Sequence, residues 1–390
     1  MRFVPRLLEA ETRRAARLFP AVILTGPRRA GKTTLLRRLF PRASYHLLED
    51  PDIAARVRVD PRSFLQGLDG PVILDEIQNA PELLNYVRTL IDAKPRLKGQ
   101  WLITGSQEAP LMKGVAESMA GRAAVLQLLA LSREESPKVT LLSGGFPEVL
   151  SAPHGASLWF RSYLQTYLER DVRSLAAIRD LSAFRRFLSL TASRCGQILN
   201  RTDLAAPLGV SVPTISSWLA ILEATAQIIL VPPYFENFGK RLIKSPKLYF
   251  LDPGLACHLL GIDSAALLGR STFHGPLFEG FVASEIVKAQ LNRGLRRELY
   301  YFRDQQGLEV DFVVPTGPGR LTLLEAKAGR TLRPDMGDPM ARLAKSIHGH
   351  GLEMAVVSLA DADPARSALR PGVHAIGLDG LPALFDKAGR

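Results

Sequence analysis

The chain has 390 residues, 46% of them apolar, which is enough for a sizeable core and indicates two or three domains. Its two cysteines exclude a disulfide framework and fit a reducing cytoplasm, and no apolar run approaches the ~20 residues that span a bilayer, so we expect a cytoplasmic protein without a membrane partner. Lys and Arg outnumber Asp and Glu by 50 to 38, a formal charge of +12 that favours anionic partners such as nucleotides and nucleic acid.

The first motif in chain order is a glycine-rich loop between a predicted strand and a predicted helix. Gly26 follows an apolar strand at residues 21–24, and Gly31-Lys32-Thr33 opens a helix whose leucines recur at helical spacing. The glycines let the backbone curl so that its N–H groups face phosphates, and the helix N-terminus adds a positive dipole end. Lys32 supplies a charge for the β- and γ-phosphates, and Thr33 supplies a hydroxyl for Mg²⁺. The residues predicted to bind ATP are Gly26, Pro27, Arg28, Arg29, Ala30, Gly31, Lys32, Thr33 and Thr34.

A second signal of the same chemistry is an apolar strand at residues 71–75 that leads into two carboxylates, Asp75 and Glu76. This arrangement places Asp75 against Mg²⁺ and Glu76 beside the attacking water, so both are predicted to be catalytic. A strand that ends in a solvated acidic turn is the competing interpretation, which the surrounding α/β pattern disfavours. A third strand ends at Gly105-Ser106, where Ser106 is a candidate sensor of the γ-phosphate and an ordinary polar turn is an equally good interpretation.

From about Leu131 the alternation of strands and helices gives way to helices. Residues 159–173 are predicted to form a connector helix with a core-facing aromatic stripe and a charged cluster of Glu169, Arg170 and Asp171. A salt-bridged, solvated face is the plainer interpretation of that cluster. Docking on the N-terminal domain is the alternative.

Residues 202–219 have the spacing of a helix-turn-helix. Thr202 or Asp203 is expected to cap the first helix, Gly209 to turn the chain and Ser211 to cap the second helix. Because the second helix carries no Arg, Lys, Asn or Gln up to Leu222, we do not expect it to read bases in a sequence-specific way.

The hairpin that follows is predicted to be a basic wing. Its basic residues would contact phosphates and give affinity without sequence preference, so the expected partner is nucleic acid, and DNA above all. A solvated basic turn is an equally good interpretation. The residues concerned are Lys240, Arg241, Lys244 and Lys247.

The last segment carries a separate set of acidic residues. Glu279 lies early in an amphipathic helix, Asp311 lies in a strand, and Glu325-Ala326-Lys327 ends the next strand after a Gly-Pro-Gly turn. Alternation puts Glu325 and Lys327 on one face, and the hairpin can bring Asp311 beside them. Two carboxylates there would hold Mg²⁺ or Mn²⁺, and Lys327 would orient water or offset charge on a cleaved phosphodiester. An acid-x-Lys sequence on an exposed strand is the plainer alternative.

The N-terminal motifs resemble one known module. The runs GPRRAGKTTL, ILDEIQ, ITGSQ and SMAGRAAVLQL are similar to the AAA-type ATPase module of many bacterial and archaeal proteins. The resemblance implies a parallel five-stranded sheet flanked by helices. It also implies that Arg122 is a catalytic trigger arginine, acting either on its own nucleotide or on that of a neighbour in a homo-oligomer. The chain departs from the module at Arg29, where Gln is usual.

The rest of the chain also carries long motifs. The runs GGFPEVL, WFRSYLQTYLERDVRSL, PPYFENFGKRLIKSPKLYFLDPGLACHLLG, FEGFVASEIV and EVDFVV resemble the domain of unknown function that accompanies the ATPase module. The order of a helix glutamate, an acid and an acid-x-Lys resembles the restriction-endonuclease-like core. That resemblance implies Glu279, Asp311 and Glu325 as metal ligands, and Asp311, Glu325 and Lys327 as catalytic residues.

We therefore expect an α/β protein of three domains. Residues 1–130 are predicted to form a parallel-sheet AAA-type ATPase domain, residues 131–262 a helical connector with a winged helix, and residues 263–390 a restriction-endonuclease-like domain. The predicted protein binds and hydrolyses ATP with Mg²⁺ and acts on nucleic acid, coupling nucleotide state to a metal-dependent nuclease-like domain in which Mn²⁺ can serve. In the alternative, the protein is an ATP-driven switch whose nuclease-like domain binds nucleic acid or protein without cleaving.

Overall fold

A computed structural model describes residues 3–106, 119–168, 180–234, 244–359 and 367–386. The chain divides into two compact units. Unit 1 comprises Met1–Leu131 and the short segments Ala224–Ala226 and Leu291–Leu295, and unit 2 comprises the remainder. The division into three domains stays a prediction.

Unit 1 is built on a five-stranded sheet. Its strands are β1 (Ala21–Thr25), β2 (Ser44–Leu47), β3 (Val72–Asp75), β4 (Trp101–Thr104) and β5 (Ala123–Gln127). All pairings are parallel, in the order β2-β3-β4-β1-β5. Strands β1, β3 and β4 are buried at every position, as continuous apolar runs in a parallel sheet are. The predicted parallel α/β sheet is confirmed.

Helices connect these strands and cover both faces of the sheet. They are α1 (Glu9–Leu18), α2 (Lys32–Leu39), α3 (Pro51–Val59), α4 (Pro61–Gln66) and α5 (Leu83–Ala93). Because successive strand residues point to opposite faces, β1 contributes to two separate cores. Ile23 packs in the core that includes Val87 of α5, and Val22 packs in the core that includes Leu35 of α2.

Helices dominate the first half of unit 2. The helices after residue 131 are α6 (Pro147–Ser151), α7 (Ala156–Tyr163), α8 (Leu181–Ser193), α9 (Arg201–Ala205), α10 (Val212–Ala224), α11 (Pro253–Leu259), α12 (Ala265–Arg270), α13 (His274–Asn292) and α14 (Asp338–Ala344). On α7, Trp159 and Tyr163 stack at 5.0 Å, and both rings contact Phe146. The predicted aromatic stripe is thus found against the core, whereas the charged cluster at residues 169–171 lies outside the described residues.

Helices α9 and α10 form the predicted helix-turn-helix. Gly209 turns the chain with φ +65°, and the Ser211 hydroxyl caps α10, as expected. The prediction that Thr202 or Asp203 caps α9 is wrong. The cap is Asn200, which has extended backbone and whose side chain accepts from the backbone N–H groups of both residues. No single helix in the described part of the chain is long and apolar enough to cross a membrane. This helix pair reaches that length and composition only together and is bent by 109°.

Two sheets complete unit 2. The strands are β6 (Ile228–Val231), β7 (Lys247–Phe250), β8 (Tyr300–Arg303), β9 (Glu309–Gly317), β10 (Arg320–Lys327), β11 (Gly351–Ser358), β12 (Ser367–Arg370) and β13 (Val373–Gly377). Strands β6 and β7 form an antiparallel pair, and the other strands form a sheet in the order β12-β13-β11-β10-β9-β8. Strands β8, β9 and β10 are successive antiparallel neighbours, and β11 returns parallel to β10 after α14. The β9–β10 hairpin turns at the predicted Gly-Pro-Gly.

Two of the long motifs pack directly on each other. The Asp252 carboxylate accepts from the backbone N–H of Gly145 at 2.8 Å and from that of Leu255 at 2.9 Å, which caps α11. A Cβ at Gly144 would lie 2.0 Å from Asp252 Oδ1, and one at Gly254 would lie 2.7 Å from the Gly144 nitrogen. The GGFPEVL and LDPGLAC runs therefore form a close backbone contact that needs glycine.

Replacing Gly144 with alanine tests this contact. Gly144 has φ +60° and no room for a Cβ, so Gly144→Ala is expected to lower the free energy of unfolding by about 2–4 kcal/mol. The matched control is Gly155→Ala, at a residue with φ −94° and nothing within 4 Å of a Cβ. Denaturant unfolding of both variants makes the comparison. Equal midpoints would show that the contact does not constrain the fold.

Candidate functional site

The segment between β1 and α2 forms the predicted phosphate loop. Gly26 and Gly31 have φ values of +135° and +95°, which side-chain-bearing residues rarely adopt. A Cβ at Gly26 would lie 2.0 Å from the Leu128 carbonyl oxygen, so the loop passes the end of β5 only as glycine. Arg29 also has a positive φ, +64°. Gly31 begins α2 without a side-chain cap, so the N–H groups at the start of this helix are oriented for an anion.

Lys32 lies inside this loop. Its side chain is buried, and its ammonium donates to the carbonyl oxygens of Gly26 and Pro27, each at 2.9 Å. These hydrogen bonds hold the Lys32 ammonium against the backbone of the loop. The side chain is therefore positioned at the place where the sequence pattern predicts phosphates.

Asp75 is the centre of a hydroxyl cluster at the end of β3. Thr33 Oγ1 donates to this carboxylate, 2.9 Å from each oxygen, as expected of two groups that share Mg²⁺. The Tyr45 hydroxyl donates to Oδ2 at 2.7 Å, and the Thr104 hydroxyl donates to Oδ1. Tyr45 and Thr104 were not predicted. Their only signal in the sequence is that β2 and β4 flank β3.

Glu76 is held beside the loop by two polar residues. It has a left-handed backbone, φ +59°, and its N–H donates to Thr104 Oγ1 at 3.0 Å. The Gln78 side-chain amide donates both to Glu76 Oε2 and to Ser106 Oγ, the latter at 2.9 Å. Ser106 is therefore joined to the candidate catalytic carboxylate through Gln78, and its role as a sensor stays a prediction. Sequence reasoning missed Gln78.

The charges around Glu76 keep it ionised. Burial acts to raise the pKa of this carboxyl, but nearby Lys32, the Gln78 amide and the buried Arg28 together hold the pKa below its usual value. An ionised carboxylate near the predicted phosphates is suited to accept a proton from water.

The contacts of Arg122 are with residues outside the phosphate loop. It donates to both carboxylate oxygens of Asp92 on α5, at 2.6 and 3.1 Å, and to the Ala120 carbonyl oxygen. The guanidinium lowers the pKa of Asp92. The predicted trigger role of Arg122, with the homo-oligomer that it implies, stays a prediction.

In unit 2 the predicted acidic residues come together. Asp311 Oδ2 on β9 accepts from the Ala326 backbone N–H at 2.9 Å. Lys327 Nζ lies 2.5 Å from Glu325 Oε2 and 3.6 Å from Asp311 Oδ2. The hairpin therefore places the Glu-x-Lys run beside Asp311, as alternation predicted.

Lys247, which was predicted to belong to the basic wing, lies among the same acidic residues. Lys247 Nζ lies 2.8 Å from Glu279 Oε1, 2.6 Å from Glu309 Oε1 and 3.9 Å from Asp311 Oδ1. The Tyr249 hydroxyl donates to the same Glu279 oxygen at 2.5 Å. We call these residues, with Arg303, Glu325 and Lys327, the acidic cluster.

The prediction that Lys247 belongs to a basic wing is wrong. Its side chain is 2% exposed, because all four residues of β7 are buried and carboxylates surround the lysine amine. Lys244 is exposed, as both the wing and a solvated basic turn predict, and Lys240 and Arg241 lie outside the described residues. A run of basic residues in the sequence does not distinguish a buried strand lysine from a loop lysine.

Two carboxyl groups of the acidic cluster are weaker acids than free glutamate. Burial and the neighbouring Asp311 raise the pKa of Glu279 to about 7 and that of Glu325 to about 8. In the described ranges, no group of three or more His, Cys, Asp or Glu side chains could hold a metal ion. The predicted metal ligands Glu279, Asp311 and Glu325 are thus near one another, but lysine ammonium groups and a tyrosine hydroxyl are their partners.

Family models match three successive stretches of the chain. An AAA domain model matches residues 18–136, a domain of unknown function (DUF8612) matches residues 135–266, and another domain of unknown function (DUF4143) matches residues 274–377. The uncharacterized proteins Rv2008c of Mycobacterium tuberculosis and Mb2031c of Mycobacterium bovis are similar over most of their length. Each is 34% identical over 340 residues, covering 85% of this chain and 75% of the relative.

Two solved structures are similar to part of the chain. The Walker-type ATPase paby2304 of Pyrococcus abyssi is 16% identical, with 65% of this chain and 94% of that chain covered and a TM-score of 0.43. The RuvB Holliday junction branch migration motor of Thermotoga maritima is 18% identical, with 58% and 86% covered and a TM-score of 0.31. Both scores are low, so assignment of an ATPase domain rests on the AAA family model and on the loop itself.

Replacing Gln78 tests the link between Ser106 and Glu76. Gln78→Ala frees the Glu76 carboxylate to rotate, so we expect ATP turnover to fall about tenfold while nucleotide affinity is unchanged. The matched control is Gln66→Ala, at an exposed position on α4. Phosphate release and equilibrium binding of a fluorescent ATP analogue provide the two readouts. Turnover equal to that of the control would mean that Gln78 does not position Glu76.

Proposed function

Since this chain belongs to the family of the uncharacterised mycobacterial proteins Rv2008c and Mb2031c and begins with an AAA-type P-loop ATPase domain, we propose that it hydrolyses ATP to control an action on nucleic acid. The observation that carries the ATPase part is the arrangement of Lys32, Thr33, Asp75 and Glu76 around one loop. If residues 75 and 76 formed an ordinary solvated turn, their carboxylates would not be expected to lie beside Lys32 and Thr33 of the loop.

In this proposal, the loop binds the phosphates of ATP. The Lys32 ammonium exchanges the carbonyl oxygens of Gly26 and Pro27 for β- and γ-phosphate oxygens, which are stronger acceptors because they are charged. The backbone N–H groups at the start of α2 add to the same anion site. Arg28, which is buried beside Glu76, contributes a further positive charge.

The residues also fit Mg²⁺. Thr33 Oγ1 and the Asp75 carboxylate are oxygen donors already in contact, the ligand type that this hard cation prefers. When bound with ATP, Mg²⁺ neutralises charge on the β- and γ-phosphates. Thr33 and Asp75 would hold the ion, and Tyr45 and Thr104 keep the Asp75 carboxylate in orientation by donating to it.

Glu76 is the proposed base for the attacking water. Its carboxylate is ionised and held by Gln78, so it can accept a proton as water attacks the γ-phosphate. In the same proposal, Ser106, which accepts from the Gln78 amide, reports the presence of that phosphate to Glu76.

Two variants separate binding from hydrolysis. Lys32→Ala removes the phosphate-binding charge and is expected to abolish nucleotide binding, whereas Glu76→Gln keeps binding and lowers turnover at least ~100-fold. Binding is measured by calorimetry with MgATP, and turnover by phosphate release. The proposed ATPase site is refuted by a Lys32→Ala protein that hydrolyses ATP at the wild-type rate.

The nucleic-acid part of the proposal rests on charge and on the helix-turn-helix. The formal charge is +12, and Lys244, which follows Lys240 and Arg241 in the sequence, is exposed. Helix α10 carries no Arg, Lys, Asn or Gln for sequence-specific contacts with base edges, so phosphates would supply most of the affinity. DNA bound without sequence preference is the partner that these features fit best.

Salt dependence tests DNA binding. Affinity is expected to fall steeply with salt, and the triple variant Lys240→Ala, Arg241→Ala, Lys244→Ala should reduce the slope of log K against log salt by about 2–3, equally for all sequences. The control is the exposed Lys98→Ala, in unit 1. Fluorescence anisotropy with several duplexes gives both slopes. Binding that does not respond to salt would contradict the proposal.

The proposal also covers the C-terminal domain. The β9–β10 hairpin, which joins Asp311 to the Glu325-x-Lys327 run, supports a restriction-endonuclease-like core. Of the two functions considered for this domain, a non-cleaving module that binds nucleic acid or protein is favoured, because Lys247 lies between the carboxylates that a metal-dependent nuclease needs.

A further inference from the structure

A divalent metal does not fit the acidic cluster as its residues are arranged. The resemblance to a nuclease core implies Glu279, Asp311 and Glu325 as ligands, but each already has a partner. Glu279 Oε1 accepts from Tyr249 and from Lys247, Asp311 Oδ2 accepts from a backbone N–H, and Glu325 Oε2 pairs with Lys327. One oxygen of each of these carboxyl groups is thus directed at an N–H donor, and that of Glu279 also at an O–H donor.

Lys247 supplies the positive charge at this place. Its ammonium contacts carboxylates from one helix and one strand, Glu279 on α13 and Glu309 on β9, with Asp311 slightly farther away. The distances of 2.6 and 2.8 Å are those of charge-assisted hydrogen bonds. We infer that the Lys247 ammonium takes the place of a divalent cation, so that this domain keeps a nuclease-like arrangement of acids without binding the metal that cleavage requires.

The acidic groups of the cluster outnumber its cations by only one, so little negative charge is left for a metal ion. In the described part of the chain, the ion pairs of the cluster join four carboxylates, those of Glu279, Glu309, Asp311 and Glu325, to three cations, those of Lys247, Arg303 and Lys327. A divalent ion bound by Glu279 and Asp311 would lie beside the Lys247 ammonium in a buried site, where repulsion between like charges is strong. A divalent ion can therefore bind to Glu279 and Asp311 only if the Lys247 ammonium is removed from its position beside them.

The contact is built into strand β7. Lys247 and Tyr249 are alternate residues, so both point to one side of the strand, and both donate to Glu279 Oε1. Strand β7 is further fixed by its pairing with β6 and by a bridge between Ile198 and Lys247. A lysine from outside the acid-x-Lys hairpin is thus held by the backbone and is not a chance surface contact.

Mn²⁺ binding by the full-length protein tests this inference. The experiment uses an Asp75→Asn background, without nucleotide, so that the phosphate-loop site does not contribute. Lys247→Met keeps the aliphatic stem and removes the charge, and the control is Lys345→Met, at an exposed lysine of unit 2. Electron paramagnetic resonance counts bound Mn²⁺, and the melting temperature is followed with and without the ion.

The background protein and Lys345→Met are expected to bind no Mn²⁺ at millimolar concentration. Lys247→Met should bind the ion in that concentration range and melt higher when the ion is present, and adding Asp311→Asn should remove both effects. If Lys247→Met does not fold alone, folding that is restored by Mn²⁺ supports the inference. The double variant Lys247→Met, Glu309→Gln loses one charge of each sign, so it is expected to fold and gives a second measurement of Mn²⁺ binding without the Lys247 ammonium.

The inference is overturned if the background protein itself binds Mn²⁺ and loses it on Asp311→Asn. It is also overturned if Lys247→Met and the double variant both fold and bind no more Mn²⁺ than Lys345→Met does. Neither result depends on ATP turnover, so the ATPase proposal stands or falls separately.

Discussion

A buried carboxylate must be compensated, and both acidic sites of this chain depend on how that is done. Asp75 accepts from three hydroxyl groups, those of Thr33, Tyr45 and Thr104. These donors orient the carboxylate but do not cancel its charge, so a cation is still attracted to it. In the acidic cluster the donors include the ammonium groups of Lys247 and Lys327, which do cancel charge. One site is thus suited to Mg²⁺ and the other is closed to it.

The parallel sheet of unit 1 makes the first arrangement possible. Strands β2, β3 and β4 are neighbours, so Tyr45, Asp75 and Thr104 lie near one another although they are distant in the sequence. Glu76 then turns away from the sheet with a positive φ, and Gln78 joins it to Ser106. The residues that would meet the γ-phosphate are thus connected to one another by hydrogen bonds.

The sequence predicts some of these features well. The phosphate loop, Asp75 and Glu76 are recognised because their residues are contiguous and each type has a chemical reason. The Asp311, Glu325 and Lys327 hairpin is recognised because strand alternation and a Gly-Pro-Gly turn fix which side chains meet. The roles of Tyr45 and Gln78 are not recognised. That of Tyr45 arises from strand order, and Gln78 ends the ILDEIQ run but meets Glu76 and Ser106 only through the local turn after β3.

Lys247 shows most clearly what the sequence alone does not predict. Its neighbours in the sequence are basic, so charge patterning assigned it to a phosphate-binding wing. Its burial and its pairing with Glu279 and Glu309 depend on tertiary contacts between a strand and a helix that are separate in the chain. The first helix cap was misplaced for a related reason, because Asn200 competes with Thr202 and Asp203, and only backbone geometry decides among them.

Anomalous diffraction from crystals grown with Mn²⁺ and a non-hydrolysable ATP analogue tests the central contrast between the two sites. The account predicts one strong manganese peak between Thr33 Oγ1 and the Asp75 carboxylate, next to the phosphates, and no peak among Glu279, Asp311 and Glu325. A peak in the acidic cluster, or none beside Thr33, would contradict it.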